Sequence, residues 1–197
     1  MQKVLSKNDK FKEKETRGSI EMQQIETERL VIRRYKEEDW KDLYEYLSDE
    51  EVVRYEPYQT FSVEEAQREA KSRAESPQFF AVCLKENNKL IGNVYFAKQE
   101  FKTWEIGYVF NRVYQGKGYA TEAAKAVIEY GFETRGARRI VAMCNPLNVA
   151  SWRLLERLGM RREGHLRQNI YFKKDKQGNP IWSDTYEYAI LKEEYIK

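Results

Sequence analysis

Asn111-Arg112-Val113-Tyr114-Gln115-Gly116-Lys117-Gly118-Tyr119-Ala120-Thr121-Glu122 is the stretch whose reading decides the fold. Before it, Trp104, Ile106, Tyr108 and Phe110 alternate with Glu105, Gly107 and Val109, the period of a strand with one apolar face. After it, Ala120, Ala123, Ala124, Val127 and Ile128 make the inner stripe of a helix expected over 119–134. The two glycines fall where loop becomes helix. Backbone N–H groups in such a turn converge with the positive end of the helix dipole, a ready anion site. Gly116 and Gly118 let the backbone approach an anion closely, and Ala120 keeps the first turn slim. A Walker loop is excluded, because Gly118 follows Lys117 and Tyr119 stands where Ser or Thr is required. A dinucleotide fingerprint fits poorly: its third glycine would fall at Thr121, and the strand ahead reads as antiparallel to its predecessor. A helix-starting turn with no ligand is the plain alternative.

Outward from this stretch the chain reads as one domain. Residues 79–84 and 90–96 form two strands around Asn87-Asn88, a hairpin pair because Asn tolerates positive φ. Upstream lie a strand within 28–35, with Leu30, Ile32 and the stem of Arg34 on one face, and a helix marked by Trp40, Leu43, Tyr44 and Leu47. Ser62-Val63-Glu64-Glu65 has the form of a capping box, so a second helix is expected from 63 to about 74. Between these helices, Tyr55-Glu56-Pro57-Tyr58 is a loop rich in aromatic rings. Downstream, 139–144 reads as a buried strand and 148–158 as a helix stopped by Gly159. Two strands over 162–172 and 184–191 close the chain. Residues 1–24 are a charged extension, expected to be mobile or weakly helical, ahead of a domain over 25–197. The fold class is α/β (α+β): a mixed, mostly antiparallel sheet with helices on both faces.

Composition narrows the function. Lys+Arg 35 against Asp+Glu 32 leaves a net charge of +3, too balanced for a dedicated nucleic-acid binder. No run approaches the ~20 apolar residues of a membrane helix. The start, Met1-Gln2-Lys3-Val4-Leu5-Ser6-Lys7, lacks the apolar core of a signal peptide, so a cytoplasmic protein with no membrane partner is expected. Cys83 and Cys144 sit in apolar runs and read as buried free thiols. A single His, His165, and two separated Cys offer no zinc-ligand spacing, so no metal is expected.

The extended pattern Gln115, Gly118, Ala120 is more specific than the glycines alone. Together with Thr27-Glu28-Arg29-Leu30, Glu105-Ile106-Gly107-Tyr108, Thr121-Glu122-Ala123, Asn145, Asn148, Ser151 and Leu158-Gly159, it resembles the GNAT N-acetyltransferases, and among them the RimJ/RimL-like branch of ribosomal-protein and small-amine acetyltransferases. The resemblance spans about 27–193. It implies a single GNAT-like domain whose sheet splays after the fourth strand, and acetyl-CoA as cosubstrate. The amides of Gln115, Gly116, Lys117, Gly118, Tyr119 and Ala120 would hold the pyrophosphate, and the backbone of Val109 and Phe110 would pair with the pantetheine arm. Asn148 would contact the cofactor arm as well as cap its helix. One branch of the family has a Tyr seven residues after this Asn that protonates the departing thiolate; here that place is Leu155. The RimJ/RimL-like branch has a Ser at the position of Ser151, where it can hydrogen-bond the sulfur.

The amine that receives the acetyl group must lose a proton before it attacks. Glu105 is the candidate base, directly or through water, unless it is merely a solvent-facing strand carboxylate. Likewise Lys117 reads as a pyrophosphate cation or a solvated loop charge, and Ser151 as a thiolate partner or an ordinary first-turn serine. His165 reads as a polar strand residue. The expected function is direct acetyl transfer from acetyl-CoA to a primary amine, a protein N-terminus or a small amine. A non-catalytic CoA-binding sensor is the rival. No nucleic-acid partner is expected, and a homodimer stays open.

Overall fold

The computed structural model describes residues 11–16 and 19–195. Nine strands form one sheet among these residues: β1 (Phe11–Thr16), β2 (Ser19–Glu26), β3 (Leu30–Arg34), β4 (Phe79–Leu84), β5 (Leu90–Lys98), β6 (Thr103–Phe110), β7 (Arg139–Cys144), β8 (Arg161–Lys174) and β9 (Pro180–Leu191). The helices are α1 (Trp40–Leu47), α2 (Val63–Glu75), α3 (Tyr119–Glu133), α4 (Val149–Arg157) and the short α5 (Lys192–Tyr195). Spatial order is β1-β2-β3-β4-β5-β6-β7-β9-β8, antiparallel throughout except for β6 beside β7. A parallel pair requires a crossover, and α3 supplies it.

The expected architecture holds, with helices on both faces. On one face, Leu30, Ile32, Phe80, Val82, Val94, Trp104, Ile106 and Phe110 pack with the inner stripe of α3 and with Leu154 and Leu155 of α4. On the other, Tyr35, Ala81, Cys83 and Leu90 pack with Leu43, Tyr46 and Leu47 of α1 and Ala70 of α2. Apolar residues therefore run unbroken through β4, because both its faces are covered. The capping box forms as expected: Ser62 Oγ accepts from the Glu65 amide at 3.2 Å, and the Glu65 carboxylate accepts from the Ser62 amide at 2.7 Å. Asn88 takes φ +58° in the β4–β5 turn. On α1, Tyr46 rather than Tyr44 is the fully buried tyrosine.

The expectation for the leading segment is corrected. Part of it pairs as a hairpin, β1 with β2 and β2 with β3, and Ile25 opposite Ile32 is fully buried. Strand β2 runs without a break past position 24. The exposed edge of β3 decides this pairing, a tertiary template that a local window of charged residues does not contain. Residues 1–10 lie outside the described residues. The expectation that Cys144 is buried is corrected too: Cys83 is buried, whereas Cys144, at the last position of β7, is only half-buried.

Candidate functional site

The parallel pairing of β6 and β7 covers only Thr103, Trp104 and Glu105 against Arg139, Ile140 and Val141. Beyond Glu105 the strands part. The opening continues into a cleft of ≈ 1180 Å³ that reaches from the loop before α3, between β6 and α4, to the loop joining α1 and α2. The sheet thus splays after β6, the fourth strand counted from β3, as the resemblance implies.

Backbone register determines what β6 offers the cleft. The Asn111 amide donates to the Ile91 carbonyl at 2.9 Å, and Asn93 faces Val109 two residues back. Alternation in an antiparallel ladder then turns the Val109 backbone toward β5 and those of Tyr108 and Phe110 toward the cleft. Of the expected pair, Phe110 thus turns its backbone toward the cleft, as Tyr108 does, whereas Val109 turns its backbone toward β5; all three line the cleft. Gln115 spends its side chain internally, Nε2 donating to the Phe110 carbonyl at 2.9 Å.

The loop at the mouth is built from several ties. Buried Asn111 accepts from the Val113 amide at 3.0 Å and donates to Glu45 at 2.9 Å. A 3-10 turn, Arg112–Tyr114, follows. Gly116 and Gly118 then take φ +73° and +84°, and Gly118 is the N-cap of α3. An L side chain is strained at either angle, which explains both glycines. Gly116, Gly118, Tyr119 and Ala120 line the cleft. Lys117 reaches over the Tyr114 ring, 5.5 Å from its centroid.

A clamp from the chain start fixes this loop to α3. Arg29 donates to the Lys117 carbonyl at 3.0 Å, lies over the Tyr119 ring at 4.4 Å and pairs with Glu122 at 2.7 Å. Thr27 Oγ1 and the Arg29 amide also donate to Glu122, at 2.6 and 2.9 Å. Burial alone would raise the Glu122 carboxyl, but these bonds from Thr27 and Arg29 hold it below its ordinary value. Thr27 and Arg29 thus brace the loop before α3.

Where β6 and α4 face each other, the Tyr108 hydroxyl donates to the Ser151 carbonyl at 3.0 Å and lies 3.2 Å from Ser151 Oγ. Asn148 caps α4, its Oδ1 accepting from the Ser151 amide at 3.2 Å. Burial pushes the Tyr108 phenol above the usual tyrosine range, with the Ser151 bond pulling back. Burial likewise pushes the Cys144 thiol up to about 11, again against a Ser151 bond. Both groups keep their protons at neutral pH. Leu155 is buried as part of the same wall. Sequence reasoning placed Tyr108 on the core face of β6 and missed it as a site residue. The signal was a single hydroxyl within an otherwise apolar stripe.

The far end of the cleft is carboxylate- and ring-lined. Glu105 is half-buried there, its Oε2 accepting from Gln99 at 2.9 Å. Tyr55 donates to the Leu147 carbonyl at 3.3 Å and Lys173 to the Arg54 carbonyl at 3.0 Å, so the α1–α2 loop straps this end. Arg73, 2% exposed, pairs with Glu69 at 2.7 Å and donates to Asn93 Oδ1 at 3.0 Å. His165 Nε2 lies 2.8 Å from Asp184, and its ring meets Tyr186 edge-on.

The residues present fit a long ligand with an anionic segment. Glycine-permitted amides stand at the mouth, strand-like backbone along the middle, and two hydroxyls where the strands have parted. The family profile described as "Acetyltransferase (GNAT) domain" matches residues 29–161. The chain is 43% identical over 173 residues to the uncharacterized N-acetyltransferase YnaD of Bacillus subtilis (strain 168), covering 87% of this chain and 98% of that one. It is 29% identical over 167 residues to the [ribosomal protein uS5]-alanine N-acetyltransferase of Escherichia coli (strain K12), covering 78% and 86%. The crystal structure of a GNAT-family acetyltransferase from Bacillus anthracis superposes with a TM-score of 0.79 at 41% identity, covering 86% of this chain and 99% of that one.

Proposed function

The chain belongs to the GNAT family of N-acetyltransferases, and from that membership we propose that it moves the acetyl group of acetyl-CoA directly to a primary amine, by preference the α-amino group of a protein N-terminus. The observation that carries this reading is one continuous cleft, with the left-handed glycines of the α3 N-terminus at its mouth and the Tyr108–Ser151 pair beyond. Acetyl-CoA, when bound, supplies the activated acyl carbon. The amides from Gln115 to Ala120 hold its pyrophosphate, with Lys117 as a nearby cation. The cleft-facing backbone of Tyr108 and Phe110 aligns the pantetheine arm.

At the sulfur, Ser151 is the donor and Tyr108 orients it. A free thiol has a pKa near ~8.5, so a thiolate leaves tolerably well with only a hydrogen bond in support. Cys144, held protonated by burial, is a poor nucleophile, which favours direct transfer over an acyl-enzyme. An α-amino group, with a pKa of ~7.7–8.0, is far easier to deprotonate near neutrality than a lysine at ~10.4. A small cationic amine is the second reading. It draws on Glu51, Glu56, Glu69, Glu105 and Asp184 around an end that is strapped by the Tyr55–Leu147 bond.

The test is thiol release from acetyl-CoA with three acceptors: peptides with a free N-terminal Ala, the same peptides blocked at the N-terminus but carrying Lys, and polyamines. Fastest release with the free N-terminus is expected. Polyamines winning would favour the second reading. CoA binding with no amine-dependent release would establish a binding module instead.

A further inference from the structure

We propose that Glu56, on the loop between α1 and α2, takes the proton from the incoming ammonium; the proposal rests on the acetyltransferase reading above. Sequence reasoning put this task on Glu105. The two carboxylates line the same cleft but sit at different heights along β6. Glu105 occupies the last rung at which β6 still pairs with β7, opposite Val141, and Gln99 holds its Oε2. The hydroxyls of Tyr108 and Ser151, where the sulfur departs, lie beyond that rung.

Glu56 belongs to the loop that straps the cleft toward the start of α4. Its neighbour Tyr55 donates to the Leu147 carbonyl at 3.3 Å, four residues before Ser151, and Tyr58 packs against the core on the α1–α2 side of the sheet. Arg73 comes up behind from α2 and is fixed to Asn93, the residue directly opposite Val109. Asn93 is fixed in turn by the buried Tyr46 hydroxyl at 2.9 Å. The carboxylate therefore sits on a braced floor, in the cleft that Tyr108 and Ser151 also line.

Its surroundings suit a base at neutral pH. Burial raises the Glu56 carboxyl to about 7, while the Tyr58 bond and the Arg73 charge pull it back. Glu69 neutralises Arg73 at 2.7 Å. Across the cleft stand Glu105 and Tyr108 on β6, Asp184 on β9, Arg157 on α4 and Arg112 before the anion loop. A base whose pKa lies near the working pH combines an available carboxylate with useful proton affinity.

The step balances as follows. The ammonium gives one proton to the Glu56 carboxylate, and the neutral nitrogen bonds to the acetyl carbon as the carbon–sulfur bond breaks. The second nitrogen proton ends on the departing sulfur beside Ser151, giving the amide and free CoA thiol. Glu56 then returns its proton to water.

The experiment measures kcat/KM from pH 5.5 to 9 with two acceptors of different amine pKa, for wild type, Glu56→Gln and Glu105→Gln. Glu56 must be ionised to accept, so wild-type activity should rise through about 7 whichever amine is used, with a second rise that follows the amine. Glu56→Gln should lose the fixed rise and about 10²-fold in kcat at pH 7.5. Glu105→Gln should keep the fixed rise. Calorimetric CoA affinity checks the fold of each variant. Glu56→Asp, which keeps a carboxylate, should retain a fixed rise at reduced kcat even if Glu56→Gln proves unstable. A fixed rise that survives in Glu56→Gln, disappears in Glu105→Gln or is missing from Glu56→Asp would overturn the assignment. Wild type that binds CoA but releases no thiol with any amine would instead remove the acetyltransferase reading, and this proposal with it.

Discussion

Ser151→Ala separates two roles for one hydroxyl. As an ordinary first-turn residue, Ser151 contributes its Oγ to the Tyr108 phenol at 3.2 Å. Its loss would not orphan that phenol, because the Ser151 carbonyl still accepts from it at 3.0 Å. The amide of residue 151 would keep its cap from Asn148. The stability cost should therefore stay below about 1 kcal/mol, the net worth of a replaceable hydrogen bond.

The catalytic cost is worked differently. A hydrogen bond to a full charge contributes about 1.5–3 kcal/mol. A thiolate only partly formed at the barrier realises about half of the upper figure, about 1.5 kcal/mol, or roughly tenfold in rate. Because this stabilisation appears only at the barrier, kcat and kcat/KM should fall together while CoA affinity stays within about twofold. The assay is continuous thiol release, with calorimetry for CoA and thermal unfolding for the fold. Tyr108→Phe should lower kcat through the same hydroxyl, so the double variant should be less impaired than the product of the two single losses. Asn148→Ala, by contrast, should destabilise the helix start by ~1 kcal/mol. Full kcat in Ser151→Ala would refute the role at sulfur. A loss confined to CoA affinity would make the residue structural.

Gly118→Val should weaken CoA binding at least tenfold, about 1.4 kcal/mol. The residue sits at φ +84°, where a β-branched side chain is strained, and its Cβ would come 3.3 Å from the Arg29 guanidinium; unchanged calorimetric affinity with the fold intact would move the anion site elsewhere. Glu122→Gln should flatten the acid limb of stability. A carboxyl held below its ordinary 4.5 contributes stability present above that value and lost as pH falls through the lower folded value. Screening at the 42%-exposed Arg29 side chain limits the effect to about 1 kcal/mol, and an unchanged dependence of Tm between pH 6 and 3 would show that the brace carries no net charge energy. His165→Gln should leave the pH profile of activity as in wild type, because its imidazole is committed to Asp184 and Tyr186; losing the ionisation near neutrality would identify His165 as the base.

Periodicity and local chemistry made most of the fold legible before any coordinates. The unbroken apolar run of β4, the capping box at Ser62 and the stripe from Ala123 to Ile128 each depend on residues within one or two turns of each other. The turn before α3 was legible for the same reason, since φ at Gly116 and Gly118 is a local demand. The brace was not, because Arg29 and Glu122 are 93 positions apart and nothing in either neighbourhood names the other. The leading hairpin was hidden by the same kind of distance, its pairing set by the edge of β3.

Tyr108 shows a different limit. Its face on β6 was read correctly, with Trp104, Ile106 and Phe110. What an alternating pattern reports is only that a side chain leaves water on one side of a sheet. It does not report whether the space beyond is filled by a neighbouring strand or left open by that strand's departure. At Trp104 the parallel rung to Ile140 fills it; four residues later β7 has diverged, and the same face has become the wall of the cleft. In a splayed sheet, then, core and site share one apolar stripe, and Phe110, two residues past Tyr108, is buried again. A hydroxyl within such a stripe, as Tyr108 is between Ile106 and Phe110, belongs to the cleft where it meets Ser151.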